Sequence, residues 1–429
     1  MRKTDAIFAF AAATLLLGAC GKGDDQPGYT QGPGTAVNGT PGTSTGTTDG
    51  TSTGGTGASA GTTGTGASTG TTGTGGTGTS TSDSSGGAGT DSAFEACLAA
   101  VEPSCVVSEK DTAEKIQTPC RDLTFIPVPL TDGSTYGPKT ITGGPYGGKV
   151  DWNQGAGTKF VSNDNTVGEQ ACVDIGIDVF LEPTAVTDEL KNLRDLDWKL
   201  FTIFRPACMK PGETYPVIAW ANGTCGETHG YSGLLATLAS YGFVIIASNS
   251  TATSSVTTAD GTPVQVSTLD YAEALNADPN SVLYQKLDMS RVGAMGHSQG
   301  ALATVPTAAD PRVKSVIFWN TGASNDKPFL NVSGDRDVFG NINSVRSSTE
   351  SATQPGAWIY YHNILQTGGA FTGHLVLMEQ PERVIEMTVA WWQWQLNGDE
   401  TAKGMFVGDN CGLCGSPDDY EYGHNSRLQ

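Results

Sequence analysis

From residue 200 onward, apolar positions follow two alternating patterns. Short continuous runs come first: LFTIFRP (200–206), PVIAWAN (216–222), FVIIAS (243–248), RVGAM (291–295), VKSVIFW (313–319), PFLNVSG (328–334) and AWIYYHNI (357–364). Their length and β-branched or aromatic content predict buried strands. Between them the period lengthens. In YSGLLATLASYG (231–242), Leu234, Leu235 and Leu238 recur at helical spacing and Gly242 marks a stop. TLDYAEALN (268–276) and PERVIEMTVAWWQWQLNG (381–398) read the same way, the latter opening on Pro and closing on Gly. Strands alternating with helices predict βαβ units and a mostly parallel central sheet flanked by helices, an α/β fold.

Before residue 200 the pattern disappears. Residues 29–92 are almost wholly Gly, Thr and Ser, with no apolar period to offset ordering entropy. This composition predicts a flexible linker with a reach of about 40–50 Å. Ahead of it stands MRKTDAIFAFAAATLLLGACGKGDD, with a basic start and a short apolar core from Ile7 to Leu17. Residues 1–19 read as a signal peptide, and Leu17-Gly18-Ala19-Cys20 resembles the lipobox of bacterial lipoproteins. The resemblance implies lipidation of Cys20, and Gly21 after it points to the outer membrane. Four parts follow: signal peptide 1–19, lipidated Cys20 with linker to 92, a cysteine-containing extension 93–199, and the α/β domain 200–429. The extension is expected to be an extra layer, a lid or a substrate platform.

The net charge of −20 argues against nucleic acid and against charge-driven binding to an acidic membrane. Membrane contact is expected only through the lipid. With Cys20 set aside, eight cysteines remain: Cys97, Cys105, Cys120, Cys172, Cys208, Cys225, Cys411 and Cys414. In an exported chain they predict disulfides, with the pairing open. Cys411-Gly-Leu-Cys414 has half the form of a zinc site. It has no second Cys/His pair at ligand spacing, so disulfide use is expected and no metal.

Candidate chemistry lies in RVGAMGHSQG (291–300), which contains G-x-S-x-G. The pattern recurs from Gly42, Gly50, Gly57 and Gly66, but there composition alone produces it. Only Ser298 has a predicted strand before it and a helix start, QGALATV, after it. In an α/β-hydrolase that setting presents a nucleophilic hydroxyl above the strand ends, on a turn too tight for side chains at the flanking glycines. Pro306 is expected to kink or shorten the helix.

A serine needs a base and the base an orienting acid, in chain order Ser, Asp, His for this fold. His374 lies in TGGAFTGHLV, a Gly-rich loop before the last long helix, and is the chosen base. His362 falls in the YYHNI strand run and His424 in a polar tail. The turn Gly334-Asp335-Arg336-Asp337 offers two acids; G-x-x-D spacing favours Asp337, leaving Asp335 to stabilise the turn. Oxyanion donors are expected from the Gln299 N–H and from the Asn222-Gly223-Thr224-Cys225-Gly226 turn, at Thr224 with Cys225 as the alternative.

Residues from about 200 to 415 resemble the bacterial cutinase-like polyester hydrolases (the PET hydrolase and lipase group) and dienelactone-hydrolase-like esterases. The resemblance rests on LASYGFVIIASNSTAT (238–253), SRVGAMGHSQG (290–300), VSGDRD (332–337), His374 and VAWWQWQLNGDE (389–400). It implies the α/β-hydrolase fold, a triad of Ser298, Asp337 and His374, an oxyanion hole of Thr224 and Gln299, and no cofactor. It also puts Trp319 near an aromatic wall of the substrate cleft, and CGLC is similar to a terminal disulfide segment in related esterases. Many such enzymes read GHSMGG, where this chain has Gln299 and Ala301, and carry an aromatic residue where it has Thr224. The expectation is a monomeric serine esterase acting on an ester, polymeric or otherwise. The alternatives are carbohydrate, lipid or small esters as substrate, or a non-catalytic surface binding protein on a hydrolase shell.

Overall fold

The continuous apolar runs become strands because both of their faces are covered. In the computed structural model, described for residues 88–107, 120–125, 128–129, 135–136, 139–154, 201–223, 228–248, 264–337, 339–364, 373–415 and 418–429, the predicted runs give seven strands. They are β7 (Phe201–Pro206), β8 (Tyr215–Ala221), β9 (Val244–Ser248), β10 (Leu287–His297), β11 (Val313–Trp319), β12 (Phe329–Gly334) and β13 (Gly356–Tyr361). Strands β9, β8, β10, β11, β12 and β13 lie side by side and parallel. Alternate residues serve opposite cores. Trp220, Met295, Ile317, Leu330 and Ile359 face one layer, and Val217, Ala219, Ile246, Ala294 and Phe318 the other. Full burial of such an aliphatic side chain contributes roughly 1.5–3 kcal/mol.

Helices cover both faces. α1 (Ala88–Ala99) precedes the sheet, and α2 (Ser232–Ser240), buried at every residue, follows a short 3₁₀ turn at Thr228–Tyr231. α3 (Val264–Ala277) packs Leu269 against the second layer. α4 (Gln299–Thr307) accommodates Pro306 in its last turn and stops one residue later. α5 (Ile342–Glu350) and the short α6 (Val376–Glu379) lead to α7 (Pro381–Asn397). α7 buries Trp391 and Trp392 in the first layer, and α8 (Glu400–Lys403) follows.

The sheet continues beyond the predicted strands. β1 (Glu102–Val107), β2 (Cys120–Phe125), β5 (Lys139–Ile141) and β6 (Gly148–Gln154) extend it at one end. β14 (Tyr420–His424) closes the other, antiparallel to β13. β3 (Val128–Pro129) and β4 (Thr135–Tyr136) form a separate hairpin. The twelve-stranded order is β1-β2-β6-β7-β9-β8-β10-β11-β12-β13-β14, with β5 beside β2. Strands from both sides of position 199 therefore share one sheet. Arg205 on β7 donates to Asp151 on β6 at 2.6 Å, and Cys97–Cys208 ties α1 to the end of β7. Cys105–Cys120 joins β1 to β2, and Cys411–Cys414 closes a tight C-terminal turn. Cys172 and Cys225 lie outside the described residues, as do the signal peptide, Cys20 and the linker up to residue 87. The boundary expected at 92 is corrected, because residues 88–92 form the first turn of α1.

The chain runs from β8 outward to β9, then returns to the opposite side of β8 as β10. Strand order reverses there. In open parallel sheets the carboxyl ends at such a switch point form a crevice. The β8 end carries Asn222 and Gly223, and the β10 end carries Ser298.

Candidate active site

Ser298 leaves β10 with φ 54° and ψ −118°, a strained conformation for a residue with a side chain. Its N–H donates to the Trp319 carbonyl at 2.9 Å, and its own carbonyl accepts from Ala301 and Leu302 to start α4. The glycines on either side have separate reasons. A Cβ on Gly296 would overlap the Gly300 carbonyl across the turn, while one on Gly300 would strike the Ala221 and Asn222 carbonyls of the neighbouring β8 end. Gln299 is the first residue of α4, so its N–H has no partner inside the helix.

Asp337 lies in the turn after β12, at 3% exposure, and is heavily hydrogen-bonded. Its Oδ1 accepts from His374 Nδ1 at 3.0 Å, Phe339 N at 2.9 Å and Gly340 N at 3.0 Å. Its Oδ2 accepts from Ser333 Oγ at 2.7 Å and Asn320 Nδ2 at 2.8 Å. Burial pushes this carboxyl upward, but the hydrogen bond and charge of His374, with Gly340 and Ser333, outweigh it and hold the group at about 2. His374 is buried too, its ring between Phe339 (centroids 5.1 Å) and His297 (4.8 Å).

Asp335 turns elsewhere. It pairs with His362 Nδ1 at 3.1 Å and accepts from Asn363 N, while His362 Nε2 lies 3.2 Å from Glu421. His362 stands just past the end of β13 rather than inside the strand, and neither it nor Asp335 meets His374 through these bonds. Thr224 and Cys225 lie outside the described residues. Trp319 needs a correction: its side chain is fully buried in the first core layer, so it presents no face to a cleft. The last position of a buried strand packs inward here.

Reading for nucleophile, base and acid left out the residues that hold them. His297, Tyr231 and Asn320 are buried polar groups in the bonds around the site. His297 and Asn320 adjoin Ser298 and the end of β11 respectively, but a lone His or Asn gives no periodic or motif signal.

A mostly parallel sheet with a serine on a strained strand-to-helix turn, and a buried Asp–His pair at the same carboxyl edge, defines an α/β-hydrolase. Residues 201–407 match the family described as PETase: PET hydrolase-like. That segment, which contains Ser298, Asp337 and His374, is similar to the PET-hydrolase-like group, and the match supports a hydrolase acting on esters. No curated protein matches the chain. The disulfides fit an oxidising, extracellular setting, and among the described residues no helix is long and apolar enough to cross a membrane.

Proposed function

We propose that the chain is an exported serine carboxylic-ester hydrolase, tethered by a lipid on Cys20 and the linker that precedes α1, with polyesters among its substrates. The observation that carries this reading is the His374–Asp337 bond at 3.0 Å, on an imidazole whose ring packs against the residue preceding Ser298. Asp337 holds the proton on Nδ1 of His374, leaving Nε2 as the base. Nε2 takes the Ser298 proton as Oγ attacks the ester carbonyl, and the N–H groups of Gln299 and Thr224 stabilise the oxyanion. His374 then protonates the leaving alcohol, and water repeats the cycle on the acyl-enzyme. β1, β2, β5 and β6 continue the sheet of the 200–429 catalytic region, and the extension that carries them works with that region as one body, as a monomer.

The test uses the full chain and its Ser298→Ala variant with short- and long-chain nitrophenyl esters, a fluorophosphonate probe and polyester film. Hydrolysis and labelling are both lost in the variant. Undiminished turnover in Ser298→Ala refutes the serine mechanism, and ester turnover without release from film removes the polyester assignment.

A further inference from the structure

Three separate segments must keep their spacing for this site to work: the turn after β8, the Ser298 turn after β10, and the segment bearing His374. One buried side chain touches all three. His297 Nε2 lies 2.7 Å from the His374 carbonyl oxygen. A carbonyl only accepts, so Nε2 carries the proton and Nδ1 is the acceptor. Nδ1 lies 2.9 Å from Tyr231 Oη, which therefore donates to it. The Tyr231 oxygen in turn accepts from the Gly223 N–H at 3.0 Å. The relay runs from the Gly223 turn, through Tyr231 and His297, to the backbone of His374. Each of these buried polar groups is satisfied by the next.

Close packing fits this reading. A Cβ on Gly223 would lie 2.7 Å from His297 Nδ1 and 3.1 Å from Tyr231 Oη, so glycine is what lets the turn approach the relay. The preceding carbonyl of the His374 segment is held as well: Gly373 O accepts from Asn320 Nδ2 at 2.9 Å, and the same amide reaches Asp337. Successive carbonyls are thus fixed, one to the serine turn and one to the acid.

We infer that His297 is a positioning residue of the proposed site, setting His374 against Ser298 and, through Tyr231, registering both with the oxyanion turn. The inference rests on the serine-esterase reading above. Burial, then the like charge of His374, pushes the His297 imidazole down to about 3, so it stays neutral and keeps one tautomer at working pH. The ring takes no proton from substrate. Its effect is on geometry, and a displacement near 1 Å at such a site costs on the order of 100-fold in rate.

Two substitutions separate the two halves of the relay. His297→Gln keeps a donor where Nε2 stands and loses the acceptor for Tyr231. His297→Asn keeps an acceptor near Nδ1 and loses the donor to His374. With a soluble nitrophenyl ester and the full chain, kcat of His297→Gln is expected within about 5-fold of wild type. His297→Asn falls roughly 30–100-fold, with KM within about 2-fold. Tyr231→Phe, which removes one oxygen, lowers kcat about 3–10-fold and provides a reading should His297→Asn fail to fold. A packing role alone predicts that the Gln and Asn variants fall together in step with Tm; that result, or unchanged kcat in Asn and Phe alike, overturns the inference. Ser298→Ala runs alongside. If it is inert while the His297 pattern fails, only the positioning role is lost; if it is active, the serine reading falls and the inference with it.

Discussion

Replacing Asp337 by Asn removes one charge and leaves most of the local geometry intact. The structure decides which way the new amide faces. The Oδ1 position is met by two backbone N–H groups, Phe339 and Gly340, besides His374 Nδ1. An NH₂ there would confront three donors, so the amide oxygen takes that place. The NH₂ then faces Ser333 Oγ, which can accept, and Asn320 Nδ2, which cannot. His374 keeps its tautomer and loses only the anion that stabilises its charged form. With both charges delocalised, their separation is roughly 4–5 Å. At an effective dielectric near 20 the interaction is worth about 3–4 kcal/mol, or ~10²–10³-fold in kcat. Steady-state kinetics on a soluble ester measures it, with Asp335→Asn as the comparison. Asp335 bonds His362 and Asn363 at 40% side-chain exposure, so its variant is expected within about 3-fold of wild type. A larger loss from Asp335→Asn than from Asp337→Asn would refute the assignment of the acid.

Acid sensitivity should follow the buried imidazole. His297 is depressed from 6.5 to about 3 in the folded chain, so stability is complete above pH 6.5 and is lost as pH falls toward 3. The slope attributable to this group is ~1.4 kcal/mol per pH unit. Urea titrations from pH 7 to 4 should show a shallower fall in His297→Gln; equal slopes would contradict the assignment. Asp337 adds roughly 2 kcal/mol that disappears between its ordinary 3.8 and about 2. His362→Ala should leave most activity, whereas His374→Ala should abolish it, and a lethal His362 change would move the base. Replacing Cys97 and Cys208 together by Ala should cost about 2–4 kcal/mol in a denaturation midpoint with kcat little altered, because the bridge closes a loop between positions 111 residues apart. An unchanged midpoint would show that the bridge does not stabilise the fold.

The sequence determined the parallel half of this protein. Where strands are covered on both faces, burial forces near-continuous apolar runs, so β8, β9, β11 and β12 were legible within one residue, as was the antiparallel β7. β10 starts four residues before its apolar run, and β13 ends three residues before the end of its own. The Ser298 turn was legible because a strand, two small flanking residues and a helix start occur together in a short window. The edges were not. β14 reads Tyr-Glu-Tyr-Gly-His, and β1 and β2 carry polar, partly exposed residues, since an edge or one-sided strand needs no continuous apolar run. α5, INSVRSSTE, buries only Val345 and Thr349 and is otherwise polar, so it carries no apolar run that marks it.

Tertiary structure decided the rest of the site. Spacing favoured Asp337 over Asp335, but two carboxylates two residues apart differ in partner only once β12 and β13 are paired and the His374 segment lies against the turn. Trp319 looked available as a wall because it ends a strand, yet the direction of its side chain depends on strand register and on what packs over it. His297, Tyr231 and Asn320 have no local signature at all. Their importance lies in hydrogen bonds that span 66, 77 and 53 residues, and long-range bonds of that kind exist only after the sheet has brought its carboxyl ends together.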